Sequence, residues 1–144
     1  MIKIIFLCHG NICRSPAAEF IFKDLIDKQG LSDKYEAASK ALSYEEEGND
    51  IYPPMKETLK MHGIPFKRHE AHKFTVKDYG YYDHIYVMDE SNLRLIHNIC
   101  EDVDQKIELL NGYIEDPWYT DNFEKVYEEI YEGCKRVLRE TIND

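Results

Sequence analysis

Cys8 and Arg14 frame the loop Cys8-His9-Gly10-Asn11-Ile12-Cys13-Arg14, which pairs a thiol with a guanidinium six positions on. A thiol attacks as its thiolate, the form that positive surroundings favour. An arginine grips two oxygens of a phosphate-like anion in a planar fork. Four cysteines and five arginines would give this spacing by chance about 0.14 times in 144 residues, so the pair alone is a weak signal. Its surroundings strengthen it. Lys3 to Leu7 is a short apolar run rich in β-formers, the pattern of a buried strand. Gly10 supplies a turn. Ser15-Pro16 then reads as a helix start, with Ser15 as N-cap and Pro16 at the first helical position. In a strand–turn–helix of this kind, loop N–H groups converge on an anion and the helix N-terminus adds its positive end. The competing reading, a buried thiol at a strand end, leaves Arg14 without a partner.

The elements that must position this loop alternate along the chain. Ala17, Ala18, Ile21, Leu25 and Ile26 recur at helical spacing, and Gly30 can end that helix. Tyr35 to Ser39 reads as a second strand. Leu42 to Pro54 reads as a polar loop carrying Glu45, Glu46 and Glu47. Met55 to His62 is a predicted helix closed by Gly63. His84 to Met88 is a third strand, and Asp89 or Ser91 caps a helix through Leu93, Ile96 and Ile99. Lys106 to Leu110 is a fourth strand, followed by a loop from Asn111 to Asp121. A long helix is expected from about Asn122 to Glu140, with Phe123, Val126, Tyr127, Ile130, Cys134, Val137 and Leu138 on one face.

Strands alternating with helices predict an α/β fold, a parallel sheet covered on both faces, as a single domain over residues 1–144. Ligands of such sheets bind at the carboxyl ends of the strands. The Cys8 loop follows strand one and Asp116 follows strand four, so both are expected on one rim despite 108 residues of separation. Taken alone, Asp116-Pro117 is an ordinary turn signal.

The net charge of −10 restricts the partners. Residues 1–72 carry 10 Lys/Arg against 11 Asp/Glu, and residues 73–144 carry 8 against 17. An acidic surface argues against nucleic acid and anionic membranes, so a phosphate must be gripped locally. No segment approaches the ~20 apolar residues of a membrane span, and the run Ile4 to Leu7 is too short for a signal-peptide core. A cytoplasmic protein is expected, with Cys8, Cys13, Cys100 and Cys134 as free thiols. Cys100 and Cys134 read as core residues on helix faces. His69 and His72 stand three apart without a third ligand nearby, so no metal site is expected.

Leu7-Cys8-His9-Gly10-Asn11-Ile12-Cys13-Arg14-Ser15-Pro16-Ala17-Ala18-Glu19 resembles the active-site signature of the low-molecular-weight protein tyrosine phosphatases. The similarity continues through Gly48-Asn49, His62-Gly63-Ile64, Met88-Asp89-Glu90-Ser91-Asn92-Leu93-Arg94, Lys106-Ile107-Glu108-Leu109-Leu110 and Glu115-Asp116-Pro117-Trp118-Tyr119, nearly the whole chain. The resemblance implies a three-layer, flavodoxin-like fold with four parallel strands in the order 2-1-3-4. It implies two-step phosphomonoester hydrolysis with no metal and no cofactor, acting as a monomer on phosphotyrosine proteins or small aryl phosphates. Cys8 would attack phosphorus, Arg14 and the amides of His9 through Arg14 would hold the phosphate oxygens, and Asp116 would serve as acid and then base. Ser15 would hydrogen-bond the Cys8 thiolate, and Asn11 would shape the loop, braced by Ser39 and His69. Cys13 could form a reversible disulfide with Cys8. Tyr44, Glu45, Trp118 and Tyr119 would wall the substrate pocket.

Family members acting on phosphoarginine carry Thr where this chain has Ile12, so phosphotyrosine is favoured. His9, Lys40 and His72 depart from the family pattern and bear on substrate preference. Glu45, Glu46 and Glu47 beside the cleft would favour peptides with basic flanks. Two rival readings are weaker. A thioredoxin-coupled arsenate reductase needs a cysteine relay, and Tyr81 to Asn98 contains no cysteine. A non-catalytic phosphotyrosine-binding module would be expected to lack Cys8 or Asp116, and both are present.

Overall fold

The run Ile-Lys-Ile-Ile-Phe-Leu-Cys forms β1, Ile2–Cys8, in a computed structural model that describes all 144 residues. Every side chain of β1 except Lys3 is buried, which fits a parallel strand covered on both faces. β2 (Tyr35–Ala41) and β3 (His84–Val87) flank it, and β4 (Ile107–Leu109) pairs with β3. All pairs are parallel and the order is β2-β1-β3-β4, as the resemblance implied.

Strand alternation divides the core between the two faces. Ile4, Phe6 and Cys8 point toward α1 (Arg14–Lys28) and α6 (Phe123–Thr141), packing with Phe22, Ile130 and Val137. Ile5 and Leu7 point the other way, to Phe74, Ile85, Val87 and Ile96, under α3 (Val76–Tyr81) and α4 (Glu90–His97). α6 is drawn tightly onto the end of β4. Arg136 Nη2 donates to Leu110 O at 2.6 Å, and Gly133 packs so closely that a Cβ there would lie 2.7 Å from Leu110 Cγ.

Several boundaries differ from the sequence reading. α1 begins at Arg14 with Cys13 at the N-cap, and Ser15 lies inside the first turn because its hydroxyl serves the loop instead of the helix end. Pro16 is tolerated there because first-turn N–H groups have no helical partner. β2 extends to Ala41, which bridges to Lys73 and exchanges backbone bonds with His72 and Phe74. α2 (Pro53–Met61) takes in both prolines at its start, and Gly63 turns the chain at φ +69°. Asp89, not Ser91, caps α4 by accepting from Asn92 N at 2.8 Å. The short helices α3, opened by a Thr75–Asp78 capping box, and α5 (Pro117–Thr120) fall in segments without helical periodicity. Cys134 is fully buried on α6, whereas Cys100 lies beyond the end of α4 and is half-buried, not on a helix face. No helix is long and apolar enough to cross a membrane.

Candidate active site

The chain leaves β1 at Cys8 and turns back through Asn11, held in the left-handed region at φ +60°. Asparagine tolerates that conformation better than most residues. The turn aims three donors at the buried Cys8 sulfur: Asn11 N at 3.3 Å, Ser15 N at 3.4 Å and the Ser15 hydroxyl at 3.0 Å. These three contacts hold the sulfur at the base of the turn. Asn11 Nδ2 donates to Ser15 Oγ at 2.8 Å, which leaves the hydroxyl proton for Cys8. His69 Nε2 in turn donates to Asn11 Oδ1 at 2.8 Å. The His69 backbone N–H is tied to Asp50. Burial opposes the Asp50 charge, but Lys56 and the N–H groups of His69 and Ile51 hold its carboxyl down at about 2.

Arg14 is buried at the start of α1. Its Nη1 donates to Asp89 Oδ2 at 2.7 Å and to Ile114 O at 2.8 Å. Burial disfavours its charge, yet Cys8, Asp89 and Asp116 outweigh that and shift its pKa upward. Nη2 lies 3.6 Å from Asp116 Oδ2. Asp116 caps α5, with Oδ1 accepting from Trp118 N at 3.0 Å.

Cys8, Arg14 and Asp116 line one cleft of about 160 Å³, together with His9, Gly10, Ile12 and Cys13. Its outer wall is Glu45, Glu46, Trp118 and Tyr119. The rim shared by Cys8 and Asp116, expected from strand order, is therefore present. A larger open groove of about 700 Å³ beside Phe20, Tyr35 and Phe66 contains neither a cysteine nor an arginine.

Three expected placements need correction. Ser39 does not reach Asn11; its hydroxyl donates to the buried carboxylate of Glu19 at 2.7 Å, which Lys23 also engages. Tyr44 does not wall the cleft; it is turned to solvent with Lys73 Nζ 5.1 Å from its ring centroid. Glu46 takes the wall position beside Glu45. Glu47 leaves the cleft to pair with His72 Nδ1 at 2.5 Å, so His69 and His72 face separate partners. His9 Nε2 contacts Glu45 Oε2 at 2.9 Å across the cleft mouth. Burial, reinforced by Cys8 and Asp116, pushes the Cys13 thiol strongly upward. Cys8 and Cys13 are both free thiols. The sequence reading missed Asp89 and Glu115 as site residues. Asp89 directly follows strand three, so its place on the same rim was the available signal.

A thiol, a guanidinium and a carboxyl gathered on the carboxyl rim of a doubly wound sheet make a site suited to a phosphate-like anion. The chain belongs to the low molecular weight phosphotyrosine protein phosphatase family, whose family model matches residues 3–144. A curated human relative named low molecular weight phosphotyrosine protein phosphatase is 38% identical, covering 94% of this chain and 93% of its own. The crystal structure of YfkJ from Bacillus subtilis superposes with a TM-score of 0.95 at 34% identity, covering 99% of this chain and 96% of its own. A Drosophila arginine phosphatase structure reaches a TM-score of 0.86 at 29% identity, covering 96% and 97%.

Proposed function

We propose that the protein hydrolyses phosphotyrosine in proteins, and aryl phosphates generally, through a phosphocysteine intermediate. The observation that carries this is the approach of Cys8, Arg14 and Asp116 around one small cleft. Cys8 Sγ attacks phosphorus as the bond to the phenolic oxygen breaks, and Asp116 gives that oxygen its proton. Asp116 then takes a proton from water, which attacks phosphorus and releases Cys8. Arg14 and the N–H groups of the loop meet the charge on the phosphate oxygens in both steps. Asp89 Oδ2 and Ile114 O both accept from Arg14 Nη1 and orient the guanidinium toward the cleft.

The phosphotyrosine preference is supported by Trp118 and Tyr119 on the wall and by apolar Ile12 in the loop, which offers no hydroxyl to a phosphoguanidinium. Phosphoarginine is the second reading, because one structural relative is an arginine phosphatase. Cys13, a free thiol lining the same cleft, is proposed to condense with a Cys8 sulfenic acid formed by a peroxide, giving a disulfide and releasing water.

The test is hydrolysis of an aryl phosphate in the presence of a chelator. Activity should persist with chelator and vanish in Cys8→Ser. Full activity in Cys8→Ser would falsify the reading. Phosphotyrosine and phosphoarginine peptides assayed side by side decide between the two substrates.

A further inference from the structure

We infer that Glu115 is a positioning residue that holds Asp116 over the cleft; the inference rests on the reading of Asp116 as the acid. Glu115 immediately precedes Asp116, and only 8% of its surface is exposed. Its Oε1 accepts from Lys125 Nζ at 2.7 Å and its Oε2 from Asn122 Nδ2 at 3.0 Å. Lys125 first, with the Thr120 and Asn122 side chains beside it, holds the Glu115 carboxyl well below its usual range, at about 2.

The position of these partners in the chain gives the arrangement its meaning. Residues 116–121 make the single turn of α5 and reverse at Asp121, which adopts φ +62°. Asn122 and Lys125 then begin α6. Glu115 stands at the entry of this excursion and bonds to its exit, so the carboxylate closes the loop into a ring. The ring is fastened on the upstream side as well. Ile114 N donates to Met88 O at 3.0 Å, and Ile114 O accepts from Arg14. Across the loop, the Tyr52 ring lies 4.7 Å from Trp118 and 6.0 Å from Phe123. Asp116 is thus suspended between an anchor on the phosphate loop and an anchor on α6. α6 itself packs against α1, the helix that begins at Arg14. A displacement of about 1 Å at a reacting group can cost as much as a hundredfold in rate, so an anchor of this kind acts on chemistry through its neighbour.

A purely structural role for Glu115 would lower activity evenly, whereas a positioning role depends on how much the leaving group needs a proton. The experiment compares kcat/KM for phenyl phosphate, whose phenolate leaves poorly, with 4-nitrophenyl phosphate, whose phenolate leaves readily. Asp116→Ala should lower the first far more than the second. Glu115→Gln should do the same to a smaller degree, about tenfold on phenyl phosphate and under about twofold on 4-nitrophenyl phosphate, as expected for partial loss of acid catalysis. Lys125→Met weakens the ring from the exposed side of α6 and should repeat the pattern even if Glu115→Gln folds poorly. In an Asp116→Ala background, neither substitution should lower activity further, because the positioned group is gone. Equal losses on both substrates, no loss, or the same loss in the Asp116→Ala background would overturn the role of Glu115. An Asp116→Ala enzyme with unchanged substrate discrimination would overturn the acid reading itself, and the inference with it.

Discussion

His69 Nε2 lies 2.8 Å from Asn11 Oδ1, and through that bond a loop 58 residues downstream reaches the sulfur of Cys8. The chain of donors runs His69 to Asn11, Asn11 to Ser15, and Ser15 to Cys8. Each donor leaves the next group one orientation, so the Ser15 proton is directed at the sulfur. The same bonds hold Asn11 in a backbone conformation that most residues avoid.

Replacing Asn11 separates these two contributions. Asn11→Gly keeps access to φ +60° but loses both side-chain bonds. It should lower kcat/KM by about tenfold, the scale of one mispositioned catalytic group, and weaken inhibition by vanadate. Asn11→Ala should be worse, because a Cβ is strained there. Wild-type kinetics in Asn11→Gly would mean that the donor relay does not matter to Cys8.

Charge reversal on the cleft wall should separate the three glutamates. Glu45 and Glu46 line the cleft, while Glu47 is paired with His72. Glu45→Lys and Glu46→Lys should shift preference away from phosphotyrosine peptides with basic flanks, and more so at low salt. Glu47→Lys should leave the peptide profile nearly unchanged. A panel of peptides differing only in flanking charge checks this; an identical profile for all three variants counts against an electrostatic wall.

Gly133→Ala should destabilise the fold. The added methyl would meet Leu110 Cγ at 2.7 Å and Leu110 O at 3.0 Å, and the backbone oxygen has little room to retreat. The expected loss is about 1–3 kcal/mol, typical of overpacking in a close-packed interior. Urea unfolding measures it directly, and a neutral effect would show that α6 can slide on β4.

Acid should weaken the protein through two depressed carboxyls. Asp50 and Glu115 ordinarily titrate near 3.8 and 4.5, and the fold holds both at about 2. Between those values the unfolded chain binds more protons than the native state, so stability falls as pH falls through the window. Above about pH 4.5 both contributions are fully present. Denaturation measured at pH 6 and pH 3 should show a smaller drop for Asp50→Asn/Glu115→Gln than for wild type. An equal drop would assign the acid sensitivity to other carboxyls.

The sequence by itself determined the strand–loop–helix around Cys8, the alternation that makes a parallel sheet, and the shared rim of Cys8 and Asp116. Those features rest on local periodicity and turn chemistry, which act over a few residues. Only the tertiary structure decided which side chains meet. Ser39 turned to Glu19 instead of Asn11, Tyr44 turned outward while Glu46 lined the cleft, and Ser15 gave its hydroxyl to the loop instead of the helix end. Irregular loops have no period from which a side chain's direction can be read. The partners of Arg14, at Asp89 and Ile114, lie 75 and 100 residues away, a separation that spacing does not encode. The same holds for Glu115: its carboxylate is an unremarkable neighbour of Asp116 in the sequence, and becomes an anchor because the chain turns at Asp121 and brings Asn122 and Lys125 back to it.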